Sequence, residues 1–145
     1  MPIGPPRRVV TGLGVDGRSR IIFDDACADV IWSTRSTPAD NGGSEDAGGV
    51  PFTFDLPDTG TLFFYTDFAP DGITGTIGMH SSDTLDYAVI VTGAVTLITE
   101  SGGTLLRAGD VVVDRGVTHA WRNDGPEMCR AIFVFVKAQP IELPE

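Results

Sequence analysis

Basic residues are scarce in this chain. Lysine and arginine number 10 against 20 aspartates and glutamates, a formal net charge of -10 over 145 residues. Such a surface repels phosphate backbones and anionic lipid, and no basic run offers a local exception. Nucleic acid and membrane surfaces are therefore not expected as partners. Long apolar runs are missing too. Nothing approaches the ~20 residues needed to span a bilayer, and the opening MPIGPPRRVV has no apolar stretch of the secretory type. Cysteine occurs twice, as Cys27 and Cys129, far apart and outside any CxxC pattern. Two buried thiols in a reducing cytosol are expected rather than a disulfide, which suggests a cytoplasmic protein. Helical periodicity is almost absent, with no apolar stripe at i, i+3, i+4, i+7 longer than two turns.

What is present is a strand pattern. Hydrophobic residues make up 41% and charged residues 21% of the chain, the composition of one globular domain. Short β-rich runs are separated by turn residues. They fall at 20–23, 29–34, 60–68, 74–80, 85–92, 94–100, 103–108, 110–114, 118–123 and 129–138. ESGG at 100–103 and NDGPE at 123–127 read as turns, and Gly93 separates two strands. The short, regular strands after residue 60 predict a sandwich or a small closed barrel. The N-terminal RRVVTGLGVDGRSRIIF reads as a strand pair able to pack on a neighbouring copy. Residues 35–60 hold paired glycines, prolines and acids with few apolar anchors, and read as a long loop. It is either a functional lid or a surface excursion.

The chain has two histidines, His80 and His119. Side chains at i and i+2 share a face of a strand. His80 and Ser82 therefore share one face, and His119, Trp121 and Asn123 another. If both faces point into a barrel, the imidazoles meet, and Asp86 can present a carboxylate to the same cavity. Two imidazoles and a carboxylate suit a divalent transition metal with open positions for water or substrate. The plainer alternative is a pair of hydrogen-bonded histidines without metal. Trp121 would be a flat apolar wall with one N–H donor, or core packing. Tyr87 should point away from the cavity, and Asn123 reads as a turn residue.

From about Asp67 to Ala138 the chain resembles a small single-domain cupin. The first cupin motif, G-x5-H-x-H-x3/4-E-x6-G, meets His80, then Ser82 in place of the second histidine, Asp86 in place of the glutamate, and Gly93. The opening glycine falls by count at Thr74, between Gly72 and Gly75. The second motif, G-x5-P-x-G-x2-H-x3-N, meets Gly109, Gly116, His119 and Asn123, with one residue fewer between the glycines and Asp114 in place of the proline. His80, Thr84, Asp86 and Tyr87, followed by His119, Ala120 and Trp121, also resemble a subset of small cupins found beside polyketide and aromatic-degradation enzymes.

The resemblance implies an all-β fold, a double-stranded β-helix (cupin jelly-roll barrel) with extra N-terminal strands. It divides residues 1–145 into N-terminal strands and loop (1–59), core barrel (60–138) and tail (139–145). It carries over His80, Asp86 and His119 as ligands of a divalent transition metal (Zn, Fe, Mn or Ni). Ser82 is not carried over as a ligand; it would orient a water or substrate group, with Trp121 beside it as the second candidate catalytic residue. It also implies a homodimer and a small organic ligand. Two functions stay open: a metal-dependent enzyme (oxygenase, decarboxylase, isomerase or dehydratase), and a metal-free binding protein whose metal site has degenerated.

Overall fold

The structure, a computed structural model, describes residues 3–142. Eleven strands follow one another with no helix among the described residues: β1 (Arg7–Leu13), β2 (Ser19–Ala26), β3 (Val30–Thr34), β4 (Thr61–Phe68), β5 (Ile77–His80), β6 (Thr84–Thr92), β7 (Ala94–Thr99), β8 (Gly102–Arg107), β9 (Val111–Asp114), β10 (His119–Arg122) and β11 (Cys129–Lys137). Every strand expected from the sequence is present. The fold is an all-β jelly roll.

Two antiparallel sheets face each other, one ordered β5-β10-β7-β8 and one ordered β3-β4-β11-β6-β9. The β1–β2 hairpin forms a separate two-stranded sheet. Alternation along each strand sorts the side chains. On β6, Thr84, Asp86, Ala88 and Ile90 point inward and are buried, while Tyr87 and Val91 face out. The core joins Val95 and Trp121 of the smaller sheet to Leu62, Phe64, Phe68, Ile90, Phe133 and Phe135 of the larger.

The outer face of the larger sheet is apolar as well. Strand register places Phe63, Val134, Tyr87 and Val113 in one row across β4, β11, β6 and β9. Tyr65, Ile132, Val89 and Val111 make the next row. Val111, Val113 and Tyr87 are exposed, and no charged residue interrupts these two rows.

Two glycines set corners of the barrel. Gly93 turns β6 into β7 at φ 73°, and a Cβ there would lie 2.4 Å from the carbonyl oxygen of Met128. Gly116 turns β9 toward β10 at φ 78°, and a Cβ there would lie 2.6 Å from the carbonyl oxygen of Ser82. Only a residue without a side chain fits either place.

The 35–60 segment has no strand or helix, as expected, but it is tied down. Arg8 bonds Asp46 through two nitrogens at 2.8 Å and also holds Asp25 and the Ile31 carbonyl. Ser33 Oγ donates to the Ala47 carbonyl, and the Gly49 amide to that of Val30. Leu56 enters the core at 5% exposure. Both cysteines are free and buried, as the sequence led us to expect. No helix is long and apolar enough to cross a membrane.

Asn123 does more than close a turn. It is wholly buried, donates from Nδ2 to the carbonyls of Phe68 (2.9 Å) and Glu127 (2.8 Å), and accepts from the Gly125 amide at 2.9 Å. Asn123→Ala strands the buried Phe68 carbonyl and two part-buried backbone groups, and a buried group costs ~1–3 kcal/mol when unpaired. The variant is expected to lose ~3 kcal/mol or more, read as a lower urea midpoint at unchanged m-value.

Candidate active site

Strand pairing brings the site together. His119 on β10 lies opposite His80 on β5, and Asp86 on β6 lies opposite Asp114 on β9. The two imidazole rings stand 4.5 Å apart, centre to centre, at 53°. His80, His119 and Asp86 line one cavity of about 340 Å³, whose other walls include Phe52, Phe54, Phe64, Trp121, Phe133 and Phe135. The lining is mostly aromatic, with His80, His119, Asp86, Asp29 and Thr66 as its polar members, which suits a small organic ligand held by few polar groups.

Each histidine is oriented by backbone. His80 Nδ1 lies 2.7 Å from the Gly78 carbonyl, and His119 Nδ1 lies 2.8 Å from that of Val117. A carbonyl can only accept, so both Nδ1 atoms carry hydrogen and Nε2 is the working nitrogen of each ring. His119 Nε2 in turn lies 3.0 Å from Asp114 Oδ2. His119 is 2% exposed, Asp86 4% and Asp114 6%. Two lone pairs cannot face each other at that range in a dry site.

The two carboxylates are the costly part. Asp86 Oδ1 and Asp114 Oδ2 are buried without a hydrogen-bond partner; the His119 contact has the distance of a hydrogen bond but not its direction. Burial pushes the Asp86 carboxyl up to about 6, the Thr84 hydroxyl pulls it back, and the neighbouring Asp114 charge adds to the rise. Buried polar atoms are normally paired, and orphans of this kind mark a functional group or a bound ion.

The donor set was tested for a divalent metal. Its chemistry fits: two oriented imidazole nitrogens and carboxylate oxygens lacking partners are the ligands zinc, iron, manganese and nickel accept. No three His, Cys, Asp or Glu side chains among the described residues converge closely enough to hold an ion as they stand. Side-chain rotation would have to complete the shell.

His80, Asp86, His119 and Trp121 therefore come to one place, while Ser82 does not. It lies beyond the end of β5, does not line the cavity, and shares a hydrogen bond with Thr84 Oγ1 at 2.8 Å. Its influence on the site runs through Thr84, which is itself the brace of Asp86. Trp121 packs in the core at 3% exposure and also lines the cavity. Tyr87 points outward. Asp114 was missed as a site residue. Its signal was an acid where the resemblance called for a proline, at the end of an otherwise apolar strand. Phe52 and Phe54 were missed because they reach the cavity from the loop.

Comparison with known proteins shows the family. A family model described as a cupin domain matches residues 64–135. A cupin-domain-containing oxidoreductase, virC of Hypocrea virens, is 30% identical over 155 residues, covering 92% of this chain and 77% of that protein. The chain belongs to the cupin family. Phomopsin biosynthesis cluster protein C' of Diaporthe leptostromiformis is 40% identical over 67 residues, covering 45% of this cupin and 35% of the relative. This cupin thus spans about a third of the length of that relative. Among solved structures, a cupin 2 conserved barrel domain protein from Salinispora arenicola aligns over 62% of this chain and 72% of that one, at 22% identity and a TM-score of 0.49.

The raised Asp86 carboxyl has a consequence for stability. A carboxyl whose folded value exceeds its unfolded value of ~3.9 supports the fold while protonated. That support is full below pH ~4 and is lost as pH rises through about 6. In metal-free protein, Asp86→Asn is expected to match the wild type near pH 3.5. It should gain up to ~3 kcal/mol over it by pH 7.5, since one pKa unit is ~1.4 kcal/mol. Chemical denaturation across that range checks it.

Proposed function

We propose that this cupin is an enzyme acting on a small, largely apolar organic molecule, with its chemistry at the end of the cavity where His80, His119, Asp86 and Asp114 meet. The observation that carries this reading is the pair of buried carboxylate oxygens left without partners beside two oriented imidazoles. A fold held together only for shape has no reason to keep them, because each costs stability. A divalent transition ion held by His80, His119 and Asp86 would supply Lewis acidity or oxygen activation. The chain's own groups do the rest. The Val117 carbonyl fixes the His119 ring through Nδ1, and Trp121 with the phenylalanines orients the substrate and excludes water. The cupin-domain-containing oxidoreductase virC is a relative along most of the chain, which favours a redox reaction over the other candidates.

One observation favours the second reading, a metal-free binding protein. Among the described residues no three donors converge, and Asp114 Oδ2 stands 3.0 Å from the working nitrogen of His119. Elemental mass spectrometry on tag-free protein separates the two. The first reading expects about one transition-metal ion per chain. That ion should be lost, together with turnover, in His80→Ala and His119→Ala. Protein that refuses Zn, Fe, Mn and Ni in titration, yet gains melting temperature with an aromatic ligand, would overturn the first reading and establish the second.

We also propose that two copies pair through the outer face of the larger sheet. On a chain of net charge -10 most surfaces repel their own copy. The rows through Val113, Tyr87, Val134 and Phe63 carry no charge and are self-complementary about a two-fold axis. Their exposed valines and aromatics favour burial over water. Light scattering is expected to give a dimer, and Val113→Glu a monomer with its melting transition retained. A monomeric wild type at tens of micromolar would count against the pairing. The two free, buried thiols suit a reducing compartment, so we place the protein in the cytoplasm.

A further inference from the structure

The outermost aromatic wall of the cavity does not come from the barrel. It comes from residues 50–57 of the long loop, which run between two fixed points. On one side the Gly49 amide donates to the Val30 carbonyl at 2.8 Å, next to the Arg8–Asp46 ion pair. On the other, Leu56 is sunk in the core. Between them Phe52 and Phe54 lean into the mouth. Their rings meet edge-to-face at 4.9 Å. Phe52 contacts Phe64 at 5.0 Å, and Phe54 stacks on Phe135 at 5.8 Å and lies 5.8 Å from the His80 ring. Both stay exposed, at 44% and 48%. Two large rings left half in water at the entrance, over a chamber walled by Phe64, Phe133, Phe135 and Trp121, fit a flat guest that would cover them.

The charges around the cavity restrict the guest further. No lysine or arginine lines it, while Asp29 and Asp86 do. Two guanidinium groups stand near its walls and both are committed: Arg8 of β1 to Asp25 and Asp46, and Arg130, 4.4 Å from the ring of the lining Tyr65, to Asp67. Were a divalent ion present, Asp86 and Asp114 together would match its charge, so the polar end would still hold no excess positive charge. A carboxylate or phosphate on the guest would be desolvated there without a counter-ion.

We propose that Phe52 and Phe54 are specificity-determining residues, and that the ligand is a flat aromatic molecule with an uncharged polar head, such as a phenol or an aryl carbonyl, with carboxylates rejected. This rests on the cavity being the ligand site, as in both readings above, and needs neither metal nor turnover.

Isothermal titration of full-length, metal-free protein at pH 7.5 tests it with shape-matched probes. 2-Naphthamide and 2-naphthoate differ in charge, whereas 2-naphthol and 2-decalol differ in aromaticity. The amide is expected to bind at least tenfold more tightly than the acid, and naphthol at least fivefold more tightly than decalol. Phe52→Ala and Phe54→Ala should each weaken naphthol by about tenfold. Phe54→Leu, which keeps apolar bulk, should narrow the naphthol-to-decalol ratio without removing binding. Equal binding of amide and acid, alanine variants that bind naphthol like the wild type, or no binding by any probe would each overturn the proposal. The charge comparison uses wild-type protein alone, so it stands even if a loop variant folds poorly. Discrimination between amide and acid in a protein that never turns over would sink the enzyme reading and leave this one standing. Turnover of an aryl carboxylate would do the reverse.

Discussion

Two carboxylates buried face to face are the constraint around which the rest of this structure is arranged. Asp86 and Asp114 are register partners on adjacent strands, and both are buried. Like charges so placed cannot both stay ionised cheaply. The surroundings answer with a hydroxyl from Thr84, an imidazole from His119 and, behind that ring, a backbone carbonyl that sets its tautomer. Each of these groups is held in turn. Gly116 brings the β9–β10 corner against Ser82, and Ser82 bonds Thr84. The corner, the serine and the hydroxyl form one linked series that ends beside Asp86 on the inward face of β6.

Much of this was legible beforehand, and the reason is period. Alternation along a strand decides which face a residue takes. The inward placing of His119, Asp86 and Trp121 and the outward placing of Tyr87 followed from counting by twos. The strands were legible because their apolar runs are short and bounded by glycine-bearing turns. Free buried thiols followed from spacing. What counting cannot supply is which strand lies beside which. Asp114 stood in plain view as an acid ending VVVD, yet its importance depends on β9 pairing with β6 rather than with its sequence neighbour β8. Ser82 is the opposite case: the extended geometry that would aim it at His80's face ends at His80, two residues before it.

The loop was the least legible part, since irregular backbone has no period. Its composition left open whether it was a lid or an excursion. The deciding contact comes from Arg8, 38 residues before its partner Asp46. No local pattern announces an ion pair across that distance. Nor would Phe52 and Phe54 be singled out in VPFTFDLP, where alternating aromatics read equally well as a short edge strand. Their role comes from where the two anchors leave them.

The order of the larger sheet bears on how the molecule comes into being. Its central strand, β11, is the last strand of the chain, wedged between β4 and β6. Phe68 pairs with Cys129 across some sixty residues. Closing such a loop costs entropy before any contact repays it, which slows folding. During synthesis β4 and β6 emerge early, each with an open edge that only β11 can fill. The N-terminal hairpin and the β7–β8 hairpin pair locally and can form at once. The chamber between the sheets has no back wall until Phe133 and Phe135 arrive. The cell therefore makes this pocket last, and a nascent chain halted before residue 129 would expose two sticky edges and bind nothing.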